Sequence, residues 1–107
     1  MTVAIARLTL ALPASHSLKE KRMVLRRVRD LVRAKFNVSI AEVGEHDTWQ
    51  RAVLGLTLVG TDRRFCESAL EEVLQFVRAH ADVVNEEREL QTFGDDLTGA
   101  DFKHWEG

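Results

Sequence analysis

The sequence predicts an α+β domain in which a four-stranded antiparallel sheet carries two helices on one face, in the chain order βαββαβ. Two kinds of observation predict it. Four stretches show the two-residue alternation of strands, and two show apolar residues recurring at helical spacing, with turn-forming residues between most of them. The length of 107 residues fits one core rather than two.

Residues 3–12 (VAIARLTLAL) read as the first strand. Side chains on a strand alternate between faces. Ala4, Ala6, Leu8, Leu10 and Leu12 therefore make a wholly apolar face, while Val3, Ile5, Arg7, Thr9 and Ala11 make a mixed one. Pro13 ends the strand. Ser17-Leu-Lys-Glu20 has the form of a capping box, in which the Ser17 hydroxyl accepts from the Glu20 amide and the Glu20 carboxylate reaches back to the Ser17 amide. A helix follows over 18–35. Val24, Leu25, Val28, Leu31 and Val32 form its apolar stripe, and Lys19, Arg22, Arg26, Asp30 and Arg33 point the opposite way.

Residues 37–43 (NVSIAEV) and 49–59 (WQRAVLGLTLV) read as strands paired as a hairpin across the short link 44–48. The longer strand has an apolar face of Ala52, Leu54, Leu56 and Leu58 and a mixed face of Trp49, Arg51, Val53, Gly55, Thr57 and Val59. Thr61 or Asp62 caps a second helix over 63–80, whose inner face is Cys66, Ala69, Leu70, Val73, Leu74 and Val77. A more polar strand follows over 82–91, with Val84 and Leu90 as its apolar marks. The domain is expected to occupy 1–93. Residues 94–107 are expected to be a mobile tail that Phe102 and Trp105 can dock.

The order βαββαβ is that of the ferredoxin-like sandwich, with strand order 4-1-3-2. In that arrangement the first and third strands are central. They are the longest and most apolar runs here, while the second and fourth carry the polarity expected of edges.

Composition narrows the setting. A hydrophobic content of 45% excludes a disordered chain. A single cysteine, Cys66, allows no internal disulfide and suits a reducing, cytoplasmic compartment. No apolar run approaches the ~20 residues of a membrane span. Arg7 interrupts the apolar start, which also lacks the basic leader of a signal peptide. The net charge of −2 conceals an asymmetry: residues 1–35 hold nine Lys/Arg against two Asp/Glu, and residues 36–107 hold six against fifteen. Such a split points to a polyanionic partner or to self-complementarity between the halves.

His16-Ser-Leu-Lys-Glu-Lys-Arg22, Phe36-Asn-Val-Ser-Ile-Ala-Glu-Val43 and Trp49-Gln-Arg-Ala-Val-Leu-Gly55 resemble, in order and spacing, the YlxP-like family of small bacterial proteins, over roughly residues 1–92. The resemblance implies a ferredoxin-like fold and a gene often found beside translation and ribosome-maturation genes. The family is classed as a domain of unknown function, so the resemblance implies no reaction and no catalytic residues.

The first candidate site is the basic helix, where Lys19, Arg22, Arg26, Arg29 and Arg33 can meet phosphates along RNA or the ribosome. Against it stands a solvated helix face with Asp30 pairing Arg26, Arg27 or Arg33. Cations in a first helical turn oppose the helix dipole, so Lys19, Lys21 and Arg22 call for a balancing anion: nucleic acid, or Glu42, Glu45 and Asp47. The second candidate is the open sheet face, with Val3, Ile5, Trp49, Arg51 and Val53 as interface residues of a homo-oligomer. Without aromatics on the first strand it does not suit base stacking. The third is the end where His16, His46, Asp47, His80 and Asp82 converge, which could serve a metal or acid–base chemistry but matches no metal spacing. Cys66 reads as a buried thiol. Gly55 reads as a bulge or as a close approach by another chain. Acylphosphatases share the topology but carry a glycine- and arginine-containing loop after the first strand, where this chain has Pro13-Ala-Ser-His16. The expectation is therefore a binding protein with no cofactor, with self-assembly as the alternative and a small metal-dependent or hydrolytic enzyme behind both.

Overall fold

The computed structural model describes residues 1–94, which form β1 (Thr2–Ala11), α1 (Leu18–Lys35), β2 (Ser39–Gly44), β3 (Arg51–Gly60), α2 (Arg63–His80) and β4 (Asp82–Thr92). The strands are antiparallel in the order β2-β3-β1-β4, which is the expected sheet read from its other edge. The expected docking of Phe102 and Trp105 lies outside the described residues.

Register explains how the two leucine-rich strands make one floor. Ala4 opposes Leu58, Ala6 opposes Leu56, Leu8 opposes Leu54 and Leu10 opposes Ala52. In three of the four pairs a small residue faces a large one, which levels the surface on which the helices lie. Leu25, Val28 and Val32 of α1 and Cys66, Leu70, Val73, Leu74 and Val77 of α2 close the core over it. Each fully buried leucine contributes about 1.5–3 kcal/mol relative to exposure.

Both helices start and stop where their caps dictate. Ser17 Oγ accepts from the Glu20 amide at 3.1 Å. The Glu20 carboxylate takes the His16 amide, at 2.6 Å, rather than that of Ser17, so the box is one residue wider than expected. Ser17 itself is extended (φ −160°, ψ 163°), as N-cap residues ordinarily are. On α2 the cap is Asp62, whose Oδ1 accepts from the Phe65 amide at 2.9 Å.

Two strand readings need correction. Trp49 lies before β3, not within it: the Gln50 carbonyl takes the Leu12 amide, and the Gln50 side chain donates to the Pro13 and Ser15 carbonyls. On β4 it is Val83, not Val84, that packs toward the core. The register with β1 shifts between Thr9 and Leu10, where the extra residue of a bulge changes which side chains face inward; Val84 is left exposed. Gly55 does mark a close approach, by this chain itself. A Cβ there would stand 2.9 Å from Val43 Cγ1, next to the β2–β3 register shift between Glu42 and Gly44.

Candidate nucleic-acid interface

α1 carries eight Lys/Arg and two Asp/Glu over 18 residues. One of the eight belongs to the interior. Residues 21, 25, 28 and 32 form the buried stripe, so Lys21 takes a position that helical periodicity alone assigns to an aliphatic residue. Its side chain is 1% exposed, its Nζ lies 2.9 Å from Glu42 Oε2, and it donates to the Glu45 carbonyl. Glu45 has φ 58°, the left-handed region, and its carbonyl also accepts the Thr48 amide. Lys21 thus ties the first turns of α1 to the tip of the β2–β3 hairpin. The anion expected to balance this lysine is Glu42. The signal that could have revealed it was present: a lysine four residues before Leu25 on the apolar stripe, and a glutamate opposite Leu54 on the core-facing side of β2.

The remaining cations are treated differently. Lys19, Arg22, Arg26, Arg29 and Arg33 follow one another at alternating three- and four-residue steps, the spacing of one stripe, over about 21 Å of helix. The contacts of Arg33 place this stripe on the flank toward β2. Arg33 Nη2 donates to the Ile40 carbonyl at 2.8 Å, so this guanidinium is partly spent on the edge strand. Arg29 is half-buried, and its Nε has no hydrogen-bond partner among the described residues. Lys19, Arg22 and Arg26 are exposed. Among the described residues none of the five is in an ion pair, and neither is Asp30. The local neutralisation by Asp30 is thus not made.

α2 shows the opposite pattern. Glu86 and Arg88 oppose Leu8 and Ala6, on the helix-bearing side of the sheet, and meet α2 there. Arg78 binds Glu86 through two bonds of 2.6 Å and reaches Glu71 at 3.1 Å, while Arg88 holds Glu71 at 2.7 Å. Hydrogen bonds from Arg88 and Arg78 hold the Glu71 carboxyl below the ordinary carboxylate range, and Arg78 does the same to Glu86. Arg63 pairs with Glu67 one turn on.

The open sheet face carries Val3, Ile5 and Val53, joined by Val43 and Val59, with no described layer over them. Arg7 crosses it to Glu87, with two bonds of 2.9 Å that lower the Glu87 carboxyl. Arg51 is exposed at the start of β3 and Trp49 beyond it. His16, His46 and His80 do not assemble: no three His, Cys, Asp or Glu side chains among the described residues are placed to hold a metal. His80 instead bonds the Phe76 carbonyl through Nδ1 at 2.8 Å and stacks on the Phe76 ring. Cys66 is fully buried, its Sγ 3.6 Å from the Thr2 carbonyl. No described helix is long and apolar enough to cross a membrane.

Residues 3–89 match the family described as "Protein of unknown function (DUF503)", and the chain belongs to that family. It is 46% identical over 67 residues to the protein YlxP of Bacillus subtilis (strain 168), described as uncharacterized; the match covers 63% of this chain and 73% of that one. Among solved structures it is similar to a designed protein with a ferredoxin fold, LFR1 1, at TM-score 0.49 and 14% identity, covering 94% of this chain and 89% of that one. The cofactor-independent oxygenase SnoaB of Streptomyces nogalater matches at TM-score 0.44 and 16% identity, covering 92% and 98%. Structural likeness this slight supports no inference about activity.

Proposed function

We propose that this chain is a non-enzymatic binding protein whose first helix engages RNA, alone or within the ribosome. One observation carries the reading: α1 holds six more cations than anions, and the five along its β2 flank have no ion-pair partner among the described residues. Cations aligned over about 21 Å suit phosphates spaced along a strand, and such contacts position a backbone without reading its sequence. The translation setting rests on the resemblance of the three motifs.

Arg33 is the wrong residue with which to test this, because its loss would also bare the Ile40 carbonyl. Arg22→Glu with Arg26→Glu removes only exposed cations. Its expected result is a loss of at least tenfold in affinity for single-stranded RNA at low salt, with the fold unchanged by circular dichroism. Unchanged affinity would refute the reading.

The uncovered valines favour a second reading, self-assembly through the open sheet face, with Val3, Ile5, Trp49, Arg51 and Val53 in the contact. Both sheet edges are unsuited to adding a strand: β2 is short, interrupted and capped by Arg33, and β4 is bulged and charged. That leaves the face rather than the edge. Sedimentation of Ile5→Lys against the parent chain tests it: the reading requires dissociation, and an unaltered oligomer would remove it.

A further inference from the structure

The flank of α1 away from β2 has a chemistry that the basic ridge does not explain. Met23 is 63% exposed and Val24 40%, side by side in the middle of a charged helix. A concavity lies on either side of Met23. One, of about 500 Å³, is walled by Leu12, Pro13, Ala14 and Ala81, with Glu20 and Val24 on its α1 side. The other, of about 490 Å³, runs along α1 between Arg26 and Arg27 and past Asp30 to Leu31, two cations to one anion. The helix therefore presents an apolar knob between two hollows, acidic on its N-terminal side at Glu20 and basic on its C-terminal side at Arg27.

We infer that this flank is a self-association surface on which α1 of a second copy packs antiparallel. The pattern is self-complementary in the way a two-fold contact requires, where residue i meets j and j meets i. With the axis between positions 23 and 24, Met23 of each copy meets Val24 of the other and enters the hollow beside it. Glu20 of each then faces Arg27 of the other. Asp30 of each falls beside the partner's Ser17, at a helix N-terminus, where a carboxylate is favoured. A parallel pairing would set Glu20 against Glu20 and Arg27 against Arg27. The charges thus select the antiparallel arrangement as well as the partner. This contact uses neither the open sheet face nor the β2 flank. A two-fold axis perpendicular to the helix pair keeps both basic ridges on the same side of the dimer.

Sedimentation equilibrium across a concentration series tests the inference on the full chain. The parent chain is expected to dimerise, and Met23→Glu and Arg27→Glu are each expected to weaken the dimer at least tenfold. Arg64→Glu, exposed on α2, is expected to leave it within twofold. A second measurement is independent of affinity. A thiol introduced by Met23→Cys lies near the axis, whereas one introduced by Thr9→Cys lies on the open sheet face. The native Cys66 is fully buried. Under copper–phenanthroline, which oxidises two thiols to a disulfide, the Met23→Cys chain is expected to cross-link to a dimer and the Thr9→Cys chain to stay single. A monomer at every concentration, a dimer indifferent to Met23→Glu, or cross-linking of Thr9→Cys but not Met23→Cys would each overturn the inference.

Discussion

α1 and α2 are matched in length, capped by side chains of the same kind and laid on the same sheet, yet they handle charge in opposite ways. α2 carries three arginines and three glutamates; Arg63 and Arg78 are paired, and Glu71 is bonded from both Arg78 and Arg88. α1 carries eight cations and two anions, and among the described residues only Lys21 has a counter-ion. Capping and an apolar stripe are therefore enough to make a helix in this fold, and the charge pattern is a separate matter. α2 spends Glu71 and Arg78 holding β4 in place and pairs Arg63 with Glu67 along its own surface. α1 invests Lys21 in the interior, spends Arg33 partly on β2 and half-buries Arg29, but leaves Lys19, Arg22 and Arg26 exposed and unpaired among the described residues, which is why the functional reading settles on α1.

The largest effect expected from breaking this contrast is at the one invested charge. Lys21→Ala strands the Glu42 carboxylate in a site that is only 19% exposed and releases the hairpin tip, at a cost of about 3 kcal/mol in urea unfolding. Replacing both partners, Lys21→Met with Glu42→Leu, should return stability to within about 1 kcal/mol of the parent, because a well-packed apolar pair commonly matches a buried ionic one. A double variant as unstable as Lys21→Ala would mean that the hydrogen bond to the Glu45 carbonyl, not charge balance, holds this corner together.

The caps give the next effect and should not distinguish the helices. Ser17→Ala and Asp62→Ala each remove one bond to an N-terminal amide, for about 1 kcal/mol apiece by thermal or urea unfolding. Markedly unequal losses would show that the unpaired cations near the start of α1 make it depend on its cap more than α2 does.

The smallest effect is in the acid limb of stability. Glu71 and Glu86 have folded pKa values below their unfolded ones, so their contribution is complete above the ordinary carboxylate pKa and is lost as pH falls through the depressed values. Arg78→Leu removes a cause of both shifts. Stability of that variant should fall less steeply below about pH 4.5, with under about 1 kcal/mol lost at neutral pH, since these side chains are partly solvated. An acid limb identical to the parent's would mean that Arg88 alone sustains the network.

How far the sequence could be read followed what each feature depends on. The bounds of both helices were legible to the residue because their caps are local, although the period placed Val24 rather than Lys21 on the inner stripe of α1. The sheet order followed from the order βαββαβ and agreed with which strands were most apolar. Features that depend on the neighbouring strand were not legible. Val84 reads from the sequence only as an apolar mark of β4; that Val83 is the residue turned inward depends on the bulge opposite Thr9 and Leu10, which nothing in its own stretch announces. Trp49 looked like part of β3 because the bonds that turn Gln50 toward Pro13 and Ser15 are long-range. At the site, the ridge was legible as a charge pattern. That Arg33 serves β2 was not, since it depends on a carbonyl supplied by the hairpin. The pairing of Lys21 with Glu42 was legible in part, as one of several candidate anions and as a lysine four residues before Leu25 on the apolar stripe.

A salt titration of single-stranded RNA binding, followed by fluorescence anisotropy, compares the two helices most directly. Arg22→Glu with Arg26→Glu and Arg63→Glu with Arg64→Glu make the same change in net charge, one on α1 and the other on α2. The α1 pair should weaken binding at least tenfold and reduce the slope of log K against log salt by about 0.7 for each phosphate no longer neutralised, while the α2 pair stays within twofold of the parent. Equal weakening by both pairs, or a parent affinity that does not respond to salt, would contradict the assignment of binding to α1.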